Sequence, residues 1–113
     1  MKLAPAQIVA GLRDFLGARL VAYIGNVSNT RSVRDWVEGT HMPSAQVVQR
    51  LRTAYYIAGL LREREGAATV QSWFLGMNPQ LEDRSPAWML REQPGESAGP
   101  AVIAAARSFA ALG

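Results

Sequence analysis

Apolar residues recur every three or four positions along most of the chain, and glycine, proline and short polar clusters interrupt them. Ile8, Val9, Leu12, Phe15 and Leu16 mark a first helix, with Pro5 acceptable in its first turn. Gly17 breaks it, and residues 18–24 make a second, with Leu20, Val21 and Ile24 apolar. Gly25-Asn26 ends that helix, and Val27-Ser28-Asn29 turns the chain. Residues 30–38 then predict a short helix with a defined start and stop. Asn29 or Thr30 can accept from its free N–H groups, Gly39 offers a left-handed end, and Pro43 forbids a quick return. Val33, Trp36 and Val37 form its single apolar stripe, while Arg31, Ser32, Arg34 and Asp35 point elsewhere.

Ser44 is a fitting N-cap for the longest helix, residues 45 to about 64. Its broad apolar stripe (Val47, Val48, Leu51, Ala54, Tyr55, Ala58, Leu61, widened by Ile57 and Leu60) makes it the expected spine of the core. Of the adjacent tyrosines, Tyr55 fits the stripe and Tyr56 is left for a subunit contact. Residues 67–75 place Val70, Trp73 and Phe74 on one face, with Gly76 as cap. Ser85-Pro86 opens a short helix carrying Trp88, Met89 and Leu90. Residues 94–100, PGESAGP, predict a hinge, after which 101–112 return to helix with Val102, Ile103, Ala106, Phe109 and Ala110 on one side. There is no internal repeat and no convincing period-two alternation. The expected fold class is all-α: a helix-turn-helix N-terminal bundle, residues 1–65, followed by a small helical C-terminal region, residues 66–113.

Two chemistries fit residues 30–38. A short helix anchored by a narrow stripe and carrying Arg, Ser and Arg outward suits the DNA major groove, where Arg donates to guanine or to phosphate. Equally, Arg31 with Asp35 and Arg34 with Glu38 are i,i+4 opposite-charge pairs of an ordinary solvated face. In the long helix, Arg50 and Arg52 are candidates for phosphates beside the groove. Trp36, Trp73 and Phe74 are expected in the core, whereas Trp88, beside the predicted hinge, is the aromatic residue best placed for a partner surface.

Composition narrows the classes. With 113 residues, 49% hydrophobic and 19% charged, the chain can bury one core and is not disordered throughout. No apolar run reaches membrane-spanning length, and Gly11, Arg13 and Asp14 come too early for a signal peptide, so a cytoplasmic protein without membrane contact is expected. The absence of cysteine and the single histidine, His41, exclude thiolate catalysis, Cys-based zinc or iron–sulfur sites and a His cluster within one chain. His41 reads as a loop or phosphate contact. With no Gly-rich phosphate loop and no catalytic triad, neither an enzyme nor a cofactor is expected. The net charge of +3 is unevenly spread: residues 1–64 carry nine basic and four acidic side chains, residues 65–113 three basic and five acidic. The front half suits an acidic polymer and the back half does not.

The order RSV-x-x-W-x-x-G-x-x-x-P (residues 31–43), a long helix, then W-F-x-x-x-N-P-x-L-x-x-x-x-P-x-x-x-L (residues 73–90) resembles the Xre/MbcA/ParS antitoxins paired with RES-domain toxins. The resemblance spans residues 20 to the end. It implies an N-terminal helix-turn-helix that binds operator DNA of its own operon and a C-terminal domain that covers the active site of a NAD-consuming toxin. Residue by residue it places Arg31, Ser32 and Arg34 in or near the major groove and Asn29 and Thr30 near the backbone. Trp73, Asn78, Leu81, Pro86 and Leu90 match the antitoxin-domain motif, and toxin contact is expected on residues 91–113. With Trp88, the candidate partner residues are Arg91, Ile103, Arg107 and Phe109. DNA binding of this type implies a homodimer, or a larger hetero-oligomer with the toxin. Tyr23 and Val27 stand where such a motif has a small residue and a glycine, with Ala22 and Gly25 nearby, so a turn one or two residues longer is expected. A stand-alone regulator and an interaction module that no longer binds DNA are the alternatives.

Overall fold

Side-chain caps set the starts of three helices in the computed structural model, which describes residues 3–112. Asn29 Oδ1 accepts from the Arg31 N–H at 3.0 Å, Ser44 Oγ from Val47 at 3.2 Å, and Ser85 Oγ from Trp88 at 3.0 Å. The described residues form seven α-helices: α1 (Pro5–Leu16), α2 (Ala18–Gly25), α3 (Thr30–Glu38), α4 (Ala45–Arg62), α5 (Ala67–Leu75), α6 (Pro86–Glu92) and α7 (Gly95–Leu112). A single 3-10 turn, Pro79–Leu81, and an isolated bridge between Asn78 and Arg84 complete the regular structure; no strand forms among the described residues. Met1 and Lys2, counted in the basic half, and Gly113, the end of the predicted partner segment, lie outside them. The all-α expectation holds, and α3 has its predicted bounds, ending at Gly39 in the left-handed region (φ 80°).

One hydrophobic core draws on every helix. Val9 and Leu12 of α1, Val21 and Ile24 of α2, and Val33 and Trp36 of α3 meet Leu51, Ile57 and Leu61 of the spine helix α4. Val70 and Phe74 of α5, Leu90 of α6 and Val102 and Ala106 of α7 belong to the same cluster. Helix α7 lies along α4, while α6 packs on both α2 and α7. Packing therefore runs across residue 65, where the charge changes sign.

The predicted hinge is helix. The Pro94 carbonyl accepts the N–H groups of Ser97 at 3.1 Å and Ala98 at 2.9 Å, so Pro94 stands where a cap belongs and α7 begins at Gly95. Pro100 lies within the helix with its ring exposed. Burial of Ala98, Gly99 and Val102 against the rest of the core overrides the turn-forming composition of the segment. Helix α4 also stops slightly earlier than its charge pattern suggested, at Arg62, with the Arg64 and Glu65 N–H groups turned back onto the Leu61 carbonyl.

Candidate functional site

The approach of α2 to α3 decides how the short helix is presented. Asn26, at φ 59°, takes the left-handed position at the end of α2, one residue before Val27. The small residue at the crossing is Gly25: a Cβ there would lie 3.0 Å from Trp36 Cη2 and 3.1 Å from Cζ3. Tyr23 is half-buried and Ala22 buried. Gly25 thus supplies the small surface at this crossing, and Asn26 rather than Val27 carries the left-handed backbone of the turn.

With Val33 and Trp36 buried beneath it, α3 leaves Thr30, Arg31, Arg34 and Glu38 exposed and Ser32 half-exposed. Neither predicted i,i+4 ion pair forms. Asp35 instead lies 3.7 Å from the neighbouring Arg34 guanidinium and 3.4 Å from His41 Nδ1. Its backbone carbonyl accepts from the Thr40 N–H and hydroxyl at 3.1 and 3.3 Å. The carboxylate is drawn toward the loop that follows the helix, and Arg31 is left without a side-chain ion pair among the described residues. Arg31 and Arg34 line an open groove with Arg13 of α1, Asn29 and Thr30. Sequence reasoning counted Arg13 only as charge; the signal available was its place in the last turn of a helix that packs against α3.

The other candidate basic residues are engaged differently. Arg50 donates to the Ile24 carbonyl at 3.2 Å, holding the C-terminal end of α2 against α4, and Arg52 donates to the Leu3 carbonyl at 2.9 Å. Arg50 also borders a cavity of about 380 Å³ between α4, α6 and α7, whose other walls include Gln46, Gln49, Thr53, Gln93 and Gly99.

The candidate partner residues differ in their contacts. Trp88 is half-buried beneath the Arg84 guanidinium, 4.2 Å from the ring centroid. Arg91 stacks over Tyr23 of α2 at 4.5 Å. Ile103 and Phe109 are half-buried against the core, Phe109 tilted on Trp73 at 6.4 Å. Arg107 is exposed and donates to the Tyr56 hydroxyl at 3.0 Å, joining the two polar tips on the outer side of the α4–α7 pair. The motif residue Asn78 is structural: its Oδ1 accepts from Gln80 at 3.0 Å, and its carbonyl accepts from Leu81 and Asp83 at 2.9 Å each. Leu81, Pro86 and Leu90 are buried.

A crystal structure of the M. tuberculosis MbcT–MbcA toxin–antitoxin complex contains a chain similar to this one over 98% of this chain and 97% of that one, at 28% sequence identity and a TM-score of 0.76. This chain is a structural homologue of the antitoxin MbcA. The likeness to MbcA takes in both motif regions and the helices between them, as coverage of this extent requires. Neither a family model nor a curated protein matches the chain. Among the described residues no group of three or more His, Cys, Asp and Glu side chains is placed to hold a metal ion, and no helix is long and apolar enough to cross a membrane.

Proposed function

We propose that this chain is the antitoxin of a toxin–antitoxin pair, that it neutralises a NAD-consuming RES-domain toxin by covering its active site, and that it represses its own operon in the cytoplasm by binding operator DNA through α3. The observation that carries the antitoxin role is the likeness to MbcA along the whole of both chains. The RES-domain partner rests on the motif of residues 73–90, with contact assigned to Trp88 and to residues 91–112, among them Arg91, Ile103, Arg107 and Phe109. DNA binding is supported by the exposed Arg31 and Arg34 beside Asn29, Thr30 and Ser32 on a helix anchored from beneath by Val33 and Trp36. A homodimer, or a larger assembly with the toxin, presents two copies of α3 to two half-sites.

The test is co-expression with the product of the adjacent reading frame, followed by co-purification and a growth assay. A neighbour that is toxic alone, and that forms a stable complex in which toxicity disappears, is the expected result. A harmless neighbour that does not bind overturns the antitoxin role. The cavity between α4, α6 and α7 favours a second reading, a stand-alone regulator whose DNA affinity a small effector shifts. That reading predicts an effector-dependent change in promoter binding with no protein partner.

A further inference from the structure

Helix α6 belongs to the C-terminal half, yet it packs directly on α2, the first helix of the helix-turn-helix. Its Arg91 crosses that contact, and the guanidinium carbon lies 4.5 Å above the Tyr23 ring. There Arg91 lines an open groove with Arg19, Ser28, Asn29 and Thr30. Asn29 and Thr30 are also walls of the groove formed by Arg13, Arg31 and Arg34. Arginines from α1, α2, α3 and α6 therefore surround the start of α3, and no acidic side chain lines either groove. Glu92 lies 3.1 Å from Arg91 Nε without hydrogen-bond alignment and offsets part of the Arg91 charge. The terminal nitrogens of Arg91 make no hydrogen bond among the described residues, and the guanidinium of Arg19 has neither a hydrogen-bond nor an ion-pair partner among them.

We propose that Arg91 and Arg19 bind backbone phosphates of the DNA on which α3 docks, so that the C-terminal half carries part of the operator interface. The inference rests on the DNA-binding reading above and gives Arg91 a DNA contact. Stacking on Tyr23 holds the guanidinium plane in place, which lowers the conformational cost of presenting its paired N–H groups to a phosphate. The neighbouring Ser28, Asn29 and Thr30 are side chains of the kind that position a protein on the DNA backbone. Two grooves meeting at the start of one helix, each bordered by arginine, suit a row of anionic groups better than a single anion.

Fluorescence anisotropy of the full chain on two labelled duplexes, one from upstream of its own reading frame and one of shuffled sequence, measured across a salt series, tests this. Arg91→Ala and Arg19→Ala are each expected to make the slope of log K against log salt shallower by about 0.9, equally on both duplexes, with Arg91→Lys keeping the slope. Co-purification of Arg19→Ala with the toxin is expected to be unchanged. Unaltered slopes for both alanine variants, with binding lost in Arg31→Ala, overturn this proposal and leave the DNA-binding reading standing. Loss of toxin binding with DNA binding intact in Arg91→Ala likewise overturns it. A wild-type chain that binds neither duplex overturns both. Arg19 is exposed and makes no side-chain bond among the described residues, so Arg19→Ala keeps the test decisive even where Arg91→Ala fails to fold.

Discussion

Gly25 and Trp36 set the distance between α2 and the presented helix. Because Trp36 is buried, it has little room to retreat from a Cβ placed 3.0 Å from its ring edge. Overpacking of this kind costs about 1–3 kcal/mol, and the better helix propensity of alanine returns up to about 1 kcal/mol. Gly25→Ala is therefore expected to lower stability by about 1 kcal/mol, the balance of these terms, read as a lower urea midpoint at unchanged slope, and to weaken any DNA binding by displacing α3. A different residue-scale tension sits after the 3-10 turn, where Glu82 and Asp83 both adopt left-handed backbone, at φ 57° and 65°. Asn78 holds them there by accepting from Leu81 and Asp83 while its own N–H donates to the Arg84 carbonyl at 3.2 Å. A left-handed L-residue costs about 1–2 kcal/mol, and glycine gives part of that relief back as unfolded-chain entropy. Glu82→Gly is expected to raise stability by about 0.5 kcal/mol, visible as a higher urea midpoint.

Among the elements, α7 shows most clearly how packing overrules local preference. Its first turns hold Gly95, Gly99 and Pro100, residues that weaken a helix, and Pro100 has no N–H to donate to the Glu96 carbonyl. Both Glu96 and Pro100 are exposed, so water satisfies that carbonyl and the penalty stays below the roughly 3 kcal/mol of a proline in a helix interior. Pro100→Ala is expected to stabilise the protein by about 1 kcal/mol, less what the unfolded chain gains in freedom, and to raise the thermal midpoint by a few degrees in a circular-dichroism melt. A midpoint lowered by this substitution is the opposite of what the geometry requires. Helix α3 is the contrasting case: its Asn29 cap, Gly39 stop and single stripe agree with one another, and its bounds are those the sequence predicts.

At the scale of the molecule, one core joins the two halves across residue 65. Urea unfolding followed by helix circular dichroism and by tryptophan fluorescence is expected to give coincident transitions, because Trp36, Trp73 and Trp88 lie on both sides of residue 65. Two separated transitions would mean that α7 and α6 release from α4 and α2 independently. The number and class of the helices, the side-chain caps of α3, α4 and α6 and most of the core were legible in the sequence, because helix periodicity and capping act over a few neighbouring residues. The core predictions for Trp36, Trp73, Phe74 and Tyr55 followed from stripes within single helices, and each is buried or packed against the core. What the sequence left open depends on residues far apart in the chain. Burial of Ala98 and Gly99 turned a hinge into helix, the tryptophan edge assigned the crossing to Gly25, and the α2–α6 contact brought Arg91 beside Asn29 and Thr30. Propensity, capping and charge are properties of neighbouring residues, whereas which faces meet is a property of the packed whole, and only the tertiary structure decided it.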